Sequence, residues 1–323
     1  MRAIQIHEAG GPEVLSLAEV DSPSPGPGEV VIDVAATGVN FIDTYHRGGL
    51  YPMEYPFTPG VECAGVVSRV GSEVTDFAEG DRVAIVGTMG TYAESIALPA
   101  DRCVMVPDDV ELETAAAAML QAMTAHYLIS DTYPLRPGDT CLIHAGAGGT
   151  GNLAIQLAKQ AGATVFTTVG TAEKAEIAAS AGADHVINYS EKEFAEEIRS
   201  ISGVDRPLDV VYDGVGASVF DENISLLRKR GLMATFGNAS GAVPPVAPLD
   251  LMKAGSIFLT RPTLFDYIET REELVARADQ IFAHIANGNL NIRIGKTFAL
   301  EDAQAAHEFL ESRKSIGKLL IIP

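Results

Sequence analysis

Residues 138–159 read GDTCLIHAGAGGTGNLAIQLAK, and this stretch decides the fold. Thr140–His144 is a short apolar run that predicts a strand. From Asn152 to Ala161 the apolar residues Leu153, Ile155, Leu157 and Ala158 recur at helical spacing. Between the two runs, Gly146, Gly148 and Gly151 spell GxGxxG. A bare GxGxxG is weak evidence, but this one follows a strand and opens a helix near Gly149. There, glycines let the backbone turn tightly and approach a pyrophosphate, while the free N–H groups and positive dipole of the helix start, around Gly149 and Thr150, face the phosphates. The competing reading is a glycine-rich turn that holds nothing.

The same rhythm extends on both sides. Apolar runs at Thr164–Val169, His185–Asn188, Leu208–Tyr212, Leu232–Phe236 and Ile257–Thr260 alternate with helical stretches at 173–181 and 191–202. With the first strand they make six, which predicts an α/β fold with a doubly wound parallel sheet and helices on both faces. Upstream, Val30–Ala35, Val66–Val70 and Asp81–Val86 are strand-like and punctuated by Gly and Pro, as in a small barrel or sandwich. Asp108 and Asp109 are placed to cap a helix running on from Leu112. Downstream of 261 come two helical stretches, about 271–287 and 301–312, and a terminal apolar run Leu319–Ile322. A chain that opens in β structure, inserts an α/β sheet and ends in mixed structure predicts a discontinuous first domain, 1–121 with 262–323, around a dinucleotide-binding domain, 122–261.

The second strand of that sheet settles which dinucleotide. NAD sites place an Asp or Glu at its tip to hold the ribose hydroxyls. Here the tip reads Thr168-Val169-Gly170-Thr171, with no carboxylate, and Lys174 follows. A cation without a neighbouring tip carboxylate suits a 2′-phosphate, so the sequence predicts NADPH. Tyr189, after the third strand, is placed to cover the adenosine ribose or its phosphate. At the fifth strand end, Gly237 permits close approach, and Asn238 or Ser240 can reach the pyrophosphate or ribose.

Length, charge and cysteines bound the rest. At 323 residues, two domains are expected. The net charge of −20 opposes a nucleic-acid or anionic-membrane surface. It is concentrated in residues 1–121, which carry −14, against −5 over 122–260 and −1 over 261–323. Cys63, Cys103 and Cys141 are too scattered for a disulfide framework or zinc knuckle. No signal-peptide pattern or spanning apolar run is present, which predicts a cytoplasmic protein.

These motifs together resemble the quinone oxidoreductase and zeta-crystallin branch of the medium-chain dehydrogenase/reductase superfamily, its bacterial NADPH:quinone reductases most of all. The resemblance is carried by residues 138–159, Gly11-Pro-Glu-Val-Leu15, Asn40-Phe-Ile-Asp-Thr-Tyr45, Arg230-Gly-Leu-Met233, Phe236-Gly-Asn238, Thr260-Arg-Pro262 and Ser312-Arg313. It implies a GroES-like catalytic domain beside a Rossmann domain, a homodimer, and reduction of a quinone or conjugated carbonyl by NADPH. It also implies that Asn40, Tyr45 and Gln121 line the substrate side of the nicotinamide, that Thr124 contacts the cofactor, that Phe258 and Thr260 end the sixth strand beside the carboxamide, and that Arg313 and Lys318 meet the cofactor. Asp43, His46 and His126 fall nearby and read as structural.

Zinc-dependent members of the superfamily carry GHE and a catalytic cysteine. Here these positions read Gly60-Val61-Glu62 and Asn40, so no zinc is expected, and Glu62 reads as a structural carboxylate, salt-bridged. Without a Lewis acid to hold an alkoxide, the chemistry shifts from alcohol oxidation to acceptors that are already electrophilic. The alternatives are an NADPH-dependent enal or enone reductase on the same scaffold and a non-catalytic NADPH-binding structural protein.

Overall fold

Gly and Pro cut the first hundred residues into short strands because each extended run ends where the backbone must turn. In the computed structural model, which describes residues 1–323, these are β1 (Arg2–Gln5), β2 (Ser16–Glu19), β3 (Glu29–Val39), β4 (Glu62–Val70), β5 (Arg82–Val86), β6 (Ser95–Pro99) and β7 (Cys103–Met105). The helix α1 (Phe41–Arg47) leaves the end of β3, and α2 (Leu112–Tyr127) follows β7. Then come β8 (Thr140–Ile143), α3 (Gly149–Gln160), β9 (Thr164–Val169), α4 (Ala172–Ser180), β10 (His185–Asn188), α5 (Phe194–Ser202), β11 (Leu208–Asp213), α6 (Phe220–Leu226), β12 (Leu227–Thr235), α7 (Pro248–Lys253) and β13 (Phe258–Thr260). The chain closes with α8 (Arg271–Ala286), β14 (Ile294–Ala299), α9 (Ala303–Glu311) and β15 (Lys318–Ile322).

Two compact units result. Met1–Met123 joins Tyr267–Pro323, and Thr124–Asp266 forms the other. The breaks lie two and five residues beyond those expected at 121/122 and 261/262. Because α2 runs straight through the first break, no turn residue marks it.

In the first unit a seven-stranded sheet runs β14-β15-β3-β4-β5-β7, with β6 also paired to β3. Its alternating apolar positions, among them Val30, Ile32, Val67, Val83, Ile85 and Leu98, close one core. β3 pairs antiparallel with both β4 and β15: Thr37 stands opposite Cys63, and Val39 opposite Leu319. The register therefore brings the ends of three strands together at Gly38–Asn40, Glu62 and Lys318. β4 begins at Glu62, four residues earlier than the run expected at Val66; the carboxylate disguises a strand that is buried from its first residue. All three cysteines are buried and unbridged.

In the second unit six parallel strands run β10-β9-β8-β11-β12-β13, the doubly wound order expected. The chain leaves β8 toward β9 on one side and returns to β11 on the other, so the carboxyl ends of β8 and β11 are the topological switch point. β12 starts five residues before the Leu232 expected, because Arg228-Lys-Arg hides its opening and Arg230 takes a positive φ of 61°. Asp108 and Asp109 lie in a turn instead of capping α2, which begins at Leu112. No helix is long and apolar enough to cross a membrane.

Candidate active site

The glycine turn sits at the switch point. Each glycine has a separate reason to be there. A Cβ on Gly146 would lie 2.2 Å from Thr167 Oγ1, and one on Gly151 2.4 Å from the Ala145 carbonyl. Both allow close backbone packing between β8, β9 and α3. A Cβ on Gly148 would meet the Ala145 oxygen at 3.2 Å, a tight contact but a looser one than at the other two glycines. Gly148 is also the N-cap of α3 and has no side chain to cap it. The N–H groups of Gly149, Thr150 and Gly151 are thus left for an anion, where the helix dipole favours one. His144, which opens the turn, is a pin: its ring bonds Thr168 Oγ1 at 2.8 Å and Asn223 Oδ1 at 2.7 Å, and burial lowers its pKa.

At the β9 tip, Thr171 caps α4 by accepting from the Lys174 N–H at 3.2 Å. The Lys174 side chain is half-buried, and that burial lowers its pKa. Tyr189 lies against Gly170, where a Cβ would come within 2.6 Å of its hydroxyl. Ser190, which the sequence reading passed over, ties its Oγ to the Gly170 carbonyl at 2.9 Å and completes this tip.

At the fifth strand end, a Cβ on Gly237 would lie 2.4 Å from the Gly214 carbonyl, so the glycine serves strand-end packing. Asn238 is half-buried beside it. The Ser240 hydroxyl donates to Val215 O at 2.8 Å and accepts from Ser218 N at 3.1 Å, pinning two loops together at this strand end. Thr260 does end β13, but Phe258 opens it. Phe258 pairs with Leu232, two residues back from the Thr260–Ala234 pair, and is 61% exposed on an edge strand.

In the first unit the three strand ends carry a buried polar cluster. Lys318 and Glu62, 1% and 0% exposed, form an ion pair. Gly38 makes room for it, since a Cβ there would lie 2.2 Å from Glu62 Oε1. Lys318 Nζ also donates to Asn40 Oδ1 at 2.6 Å, and Asn40 Nδ2 donates to Glu62 Oε1 at 2.6 Å. Glu62 Oε2 accepts the Leu120 N–H of α2 at 2.5 Å. Gln121 Nε2 donates to Asn40 Oδ1 at 3.2 Å, and Asn40 Nδ2 also reaches Gly38 O at 3.3 Å. Two expectations change. Asn40 has all four hydrogen-bonding positions filled by the protein and nothing left for a ligand carbonyl. Lys318 is not an open cofactor contact but the buried partner of Glu62.

Tyr45 stands half-buried on α1, its ring edge-on to Tyr51 at 5.6 Å. Thr124 is half-buried three residues beyond Gln121 on α2. Arg313 is exposed just past α9, with a positive φ of 59°, and belongs to the first unit.

Below Asn40 a second network fixes α1. Arg47, which can only donate, faces His307 Nδ1 at 2.9 Å, so His307 carries its proton on Nε2 and turns it to the Tyr92 oxygen at 3.2 Å. Tyr92 in turn donates to Asp43 Oδ2 at 3.0 Å, which also accepts the Asn40 N–H at 2.8 Å. Burial pushes the Asp43 carboxyl up to about 7, against the pull of the Asn40 N–H, Tyr92 and Lys318; nearby Glu62 adds to the rise. Burial first, then Arg47, lowers His307 to about 3.

These shifts oppose each other. Folded Asp43 holds its proton above its ordinary 3.8, so its contribution to stability falls as pH rises from 3.8 to about 7. Folded His307 refuses a proton below its ordinary 6.5, so its contribution rises with pH from about 3 to 6.5. Where the windows overlap the slopes cancel. His307→Gln should expose the Asp43 slope, a loss approaching about 1.4 kcal/mol per pH unit, and Asp43→Asn the opposite slope. Urea unfolding across that window checks it; slopes of the same sign in the two variants would refute the assignment.

Comparison with known proteins adds to this geometry. Residues 26–108 match the family model "Alcohol dehydrogenase GroES-like domain", and residues 149–282 match "Zinc-binding dehydrogenase". Quinone oxidoreductase 1 of Escherichia coli is 43% identical over 324 residues, covering 99% of each chain. A 2-haloacrylate reductase of Burkholderia is 42% identical over 329 residues, covering 99% of this chain and 98% of its own. The crystal structure of the Escherichia coli quinone oxidoreductase complexed with NADPH superposes with a TM-score of 0.97 at 43% identity, covering both chains fully.

One of those family models is named for zinc, and the residues here do not fit it. No group of three or more His, Cys, Asp or Glu side chains is placed to hold a metal ion. Both oxygens of Glu62 already take N–H donors, and the cation beside it is the Lys318 ammonium.

Proposed function

The chain belongs to the quinone oxidoreductase family of the medium-chain dehydrogenases and reductases, and from that premise we propose that it reduces quinones with NADPH and without a metal ion. The observation that carries this reading is the switch-point turn, where α3 starts with no side-chain cap on its N–H groups, beside a β9 tip with Lys174 and no carboxylate. Gly146–Gly151 holds the pyrophosphate. Lys174, Tyr189 and Thr171 take the adenosine end, with Arg313 as a further cation for the 2′-phosphate. Asn238 and Thr260 complete the strand-end contacts.

When bound, NADPH supplies a hydride from C4 of its nicotinamide. The quinone gains that hydride and one proton to become a hydroquinone. Tyr45, half-buried and carrying a hydroxyl, gives that proton or orders the water that does. Gln121 and Thr124 orient the ligands from α2. The Asn40–Glu62–Lys318 cluster acts from behind and holds Gln121 in place. Most of the rate enhancement comes from positioning and exclusion of water.

The edge strand β13, opened by exposed Phe258, supports a homodimer. Three buried free thiols and the −20 charge support a cytoplasmic protein with no nucleic-acid or membrane partner.

A second reading is reduction of a conjugated carbon–carbon double bond, favoured by the likeness to the 2-haloacrylate reductase. Turnover of a matched panel of quinones, enals and haloacrylates separates the two: the first expects quinones to give the highest kcat/KM, and negligible rates on every quinone would remove it. The cofactor assignment has its own check. Lys174→Ala should raise the Kd for NADPH about tenfold and leave that for NADH unchanged; equal weakening of both would mean the lysine does not meet a 2′-phosphate.

A further inference from the structure

Two buried charges determine which way two neutral amides point. A lysine ammonium carries only donors and a carboxylate only acceptors. Lys318 and Glu62 are sealed from solvent and touch each other, and Asn40 bridges both: its Oδ1 faces the ammonium at 2.6 Å and its Nδ2 the carboxylate at 2.6 Å. Turning that amide over would set NH2 against ammonium and carbonyl against carboxylate, where no water screens either contact. The orientation of Asn40 is thereby fixed. The same Oδ1 meets Gln121 at 3.2 Å. Oxygen facing oxygen repels, so Gln121 must present its NH2 there, and its own orientation is fixed in turn. What remains is Gln121 Oε1, buried and without a hydrogen-bond partner. A buried carbonyl left in that state is costly and calls for a donor.

We infer that the Lys318–Glu62 pair is a polarity lock that presents Gln121 Oε1 as an acceptor for a ligand group carrying O–H or N–H. The inference rests on the NADPH-reductase reading and names what that site selects. An oxidised quinone offers only carbonyl oxygens and cannot fill the position. A hydroxyl or carboxamide N–H of the nicotinamide riboside can, and so can the phenolic O–H of a hydroquinone. Lys318 and Glu62 are positioning residues, acting through Asn40; the ligand contact belongs to Gln121.

The test combines Gln121→Met, which keeps side-chain length but removes both amide atoms, with the paired change Glu62→Gln plus Lys318→Met, which removes the lock without stranding a charge. Two constants are read: the Kd of NADPH, from its own fluorescence, and the inhibition constant of hydroquinone. On the natural background, Gln121→Met should raise one of them about tenfold, the loss of one hydrogen bond. A change in the NADPH constant identifies the cofactor as the donor; a change in the hydroquinone constant identifies the product. On the lock-free background the amide can turn, and the same substitution should cost no more than about threefold. The inference is overturned if the natural protein binds NADPH and Gln121→Met alters neither constant, or if its cost is the same on both backgrounds. Should the paired variant not fold, the Gln121→Met arm alone decides. A natural protein that binds no NADPH at all would instead refute the reductase reading.

Discussion

Gly148→Ala is expected to weaken NADPH binding sharply in a protein that still folds. The residue sits at φ −77°, a conformation open to any amino acid, so an alanine there carries no backbone strain. Its Cβ would have one protein neighbour within reach of discomfort, the Ala145 oxygen at 3.2 Å. The rest of the methyl would stand where a pyrophosphate must approach the N–H groups of α3. Crowding of that kind costs about 1–3 kcal/mol, so the Kd should rise roughly 5- to 150-fold while the melting temperature falls far less than in Gly151→Ala. Gly151→Ala is the control. Its Cβ would lie 2.4 Å from a backbone carbonyl, and stability and binding should fall together. NADPH titration beside a thermal melt reads both. Normal binding by Gly148→Ala would mean that this face of the turn holds no phosphate.

The second large effect lies in the other unit. Lys318→Met leaves Glu62 as an unpaired charge at 0% exposure. Breaking a buried pair from one side costs about 3–5 kcal/mol, a large share of the 5–15 kcal/mol typical of a folded protein. Adding Glu62→Gln removes the stranded charge, and the double variant should recover most of the loss. Urea unfolding of the two variants measures this. Equal destabilisation would show that Lys318 acts through packing and not through its charge.

Both expectations come from residues whose types were visible at the outset, but they were legible to different degrees. The glycine turn could be read because its signal is local: a strand, three glycines and a helix within twenty-two residues. The six-stranded sheet followed because β-branched runs and helical spacing alternate without interruption. The make-up of the β9 tip was legible for the same reason, since Gly170, Thr171 and Lys174 are neighbours in the chain.

The polar cluster was only half legible. Glu62 read as salt-bridged, but its partner lies 256 residues away, and Lys318 was read as a cofactor contact. A signal was present: a lone carboxylate opening an apolar strand and a lone ammonium before Leu319-Leu-Ile-Ile322 each need a buried counter-charge, and the chain offers few others in apolar runs. Asn40 was placed on the substrate side by the family resemblance; its four filled positions show only in the fold, where the register of β3 against β4 and β15 brings Glu62 and Lys318 to it and α2 adds Gln121. Phe258 was misplaced because β13 has just three residues, too few to tell its opening from its end. The loop-pinning bonds of Ser240 left no trace in the sequence because its partners, Val215 and Ser218, come from the neighbouring strand end. The Arg47–His307–Tyr92–Asp43 chain left no sequence trace, since it joins α1, a loop and α9.

The central claim is that this chain passes a hydride from NADPH to a quinone using its own side chains. An anaerobic single-turnover experiment tests it most directly: NADPH-loaded protein, stripped of metal by chelation, is mixed with a quinone that NADPH alone does not reduce. The account predicts loss of the reduced-nicotinamide signal at a rate that saturates with quinone, and one hydroquinone formed per NADPH consumed. NADPH that binds tightly yet stays reduced in the presence of every quinone tried, or that is oxidised only after zinc is restored, would contradict it.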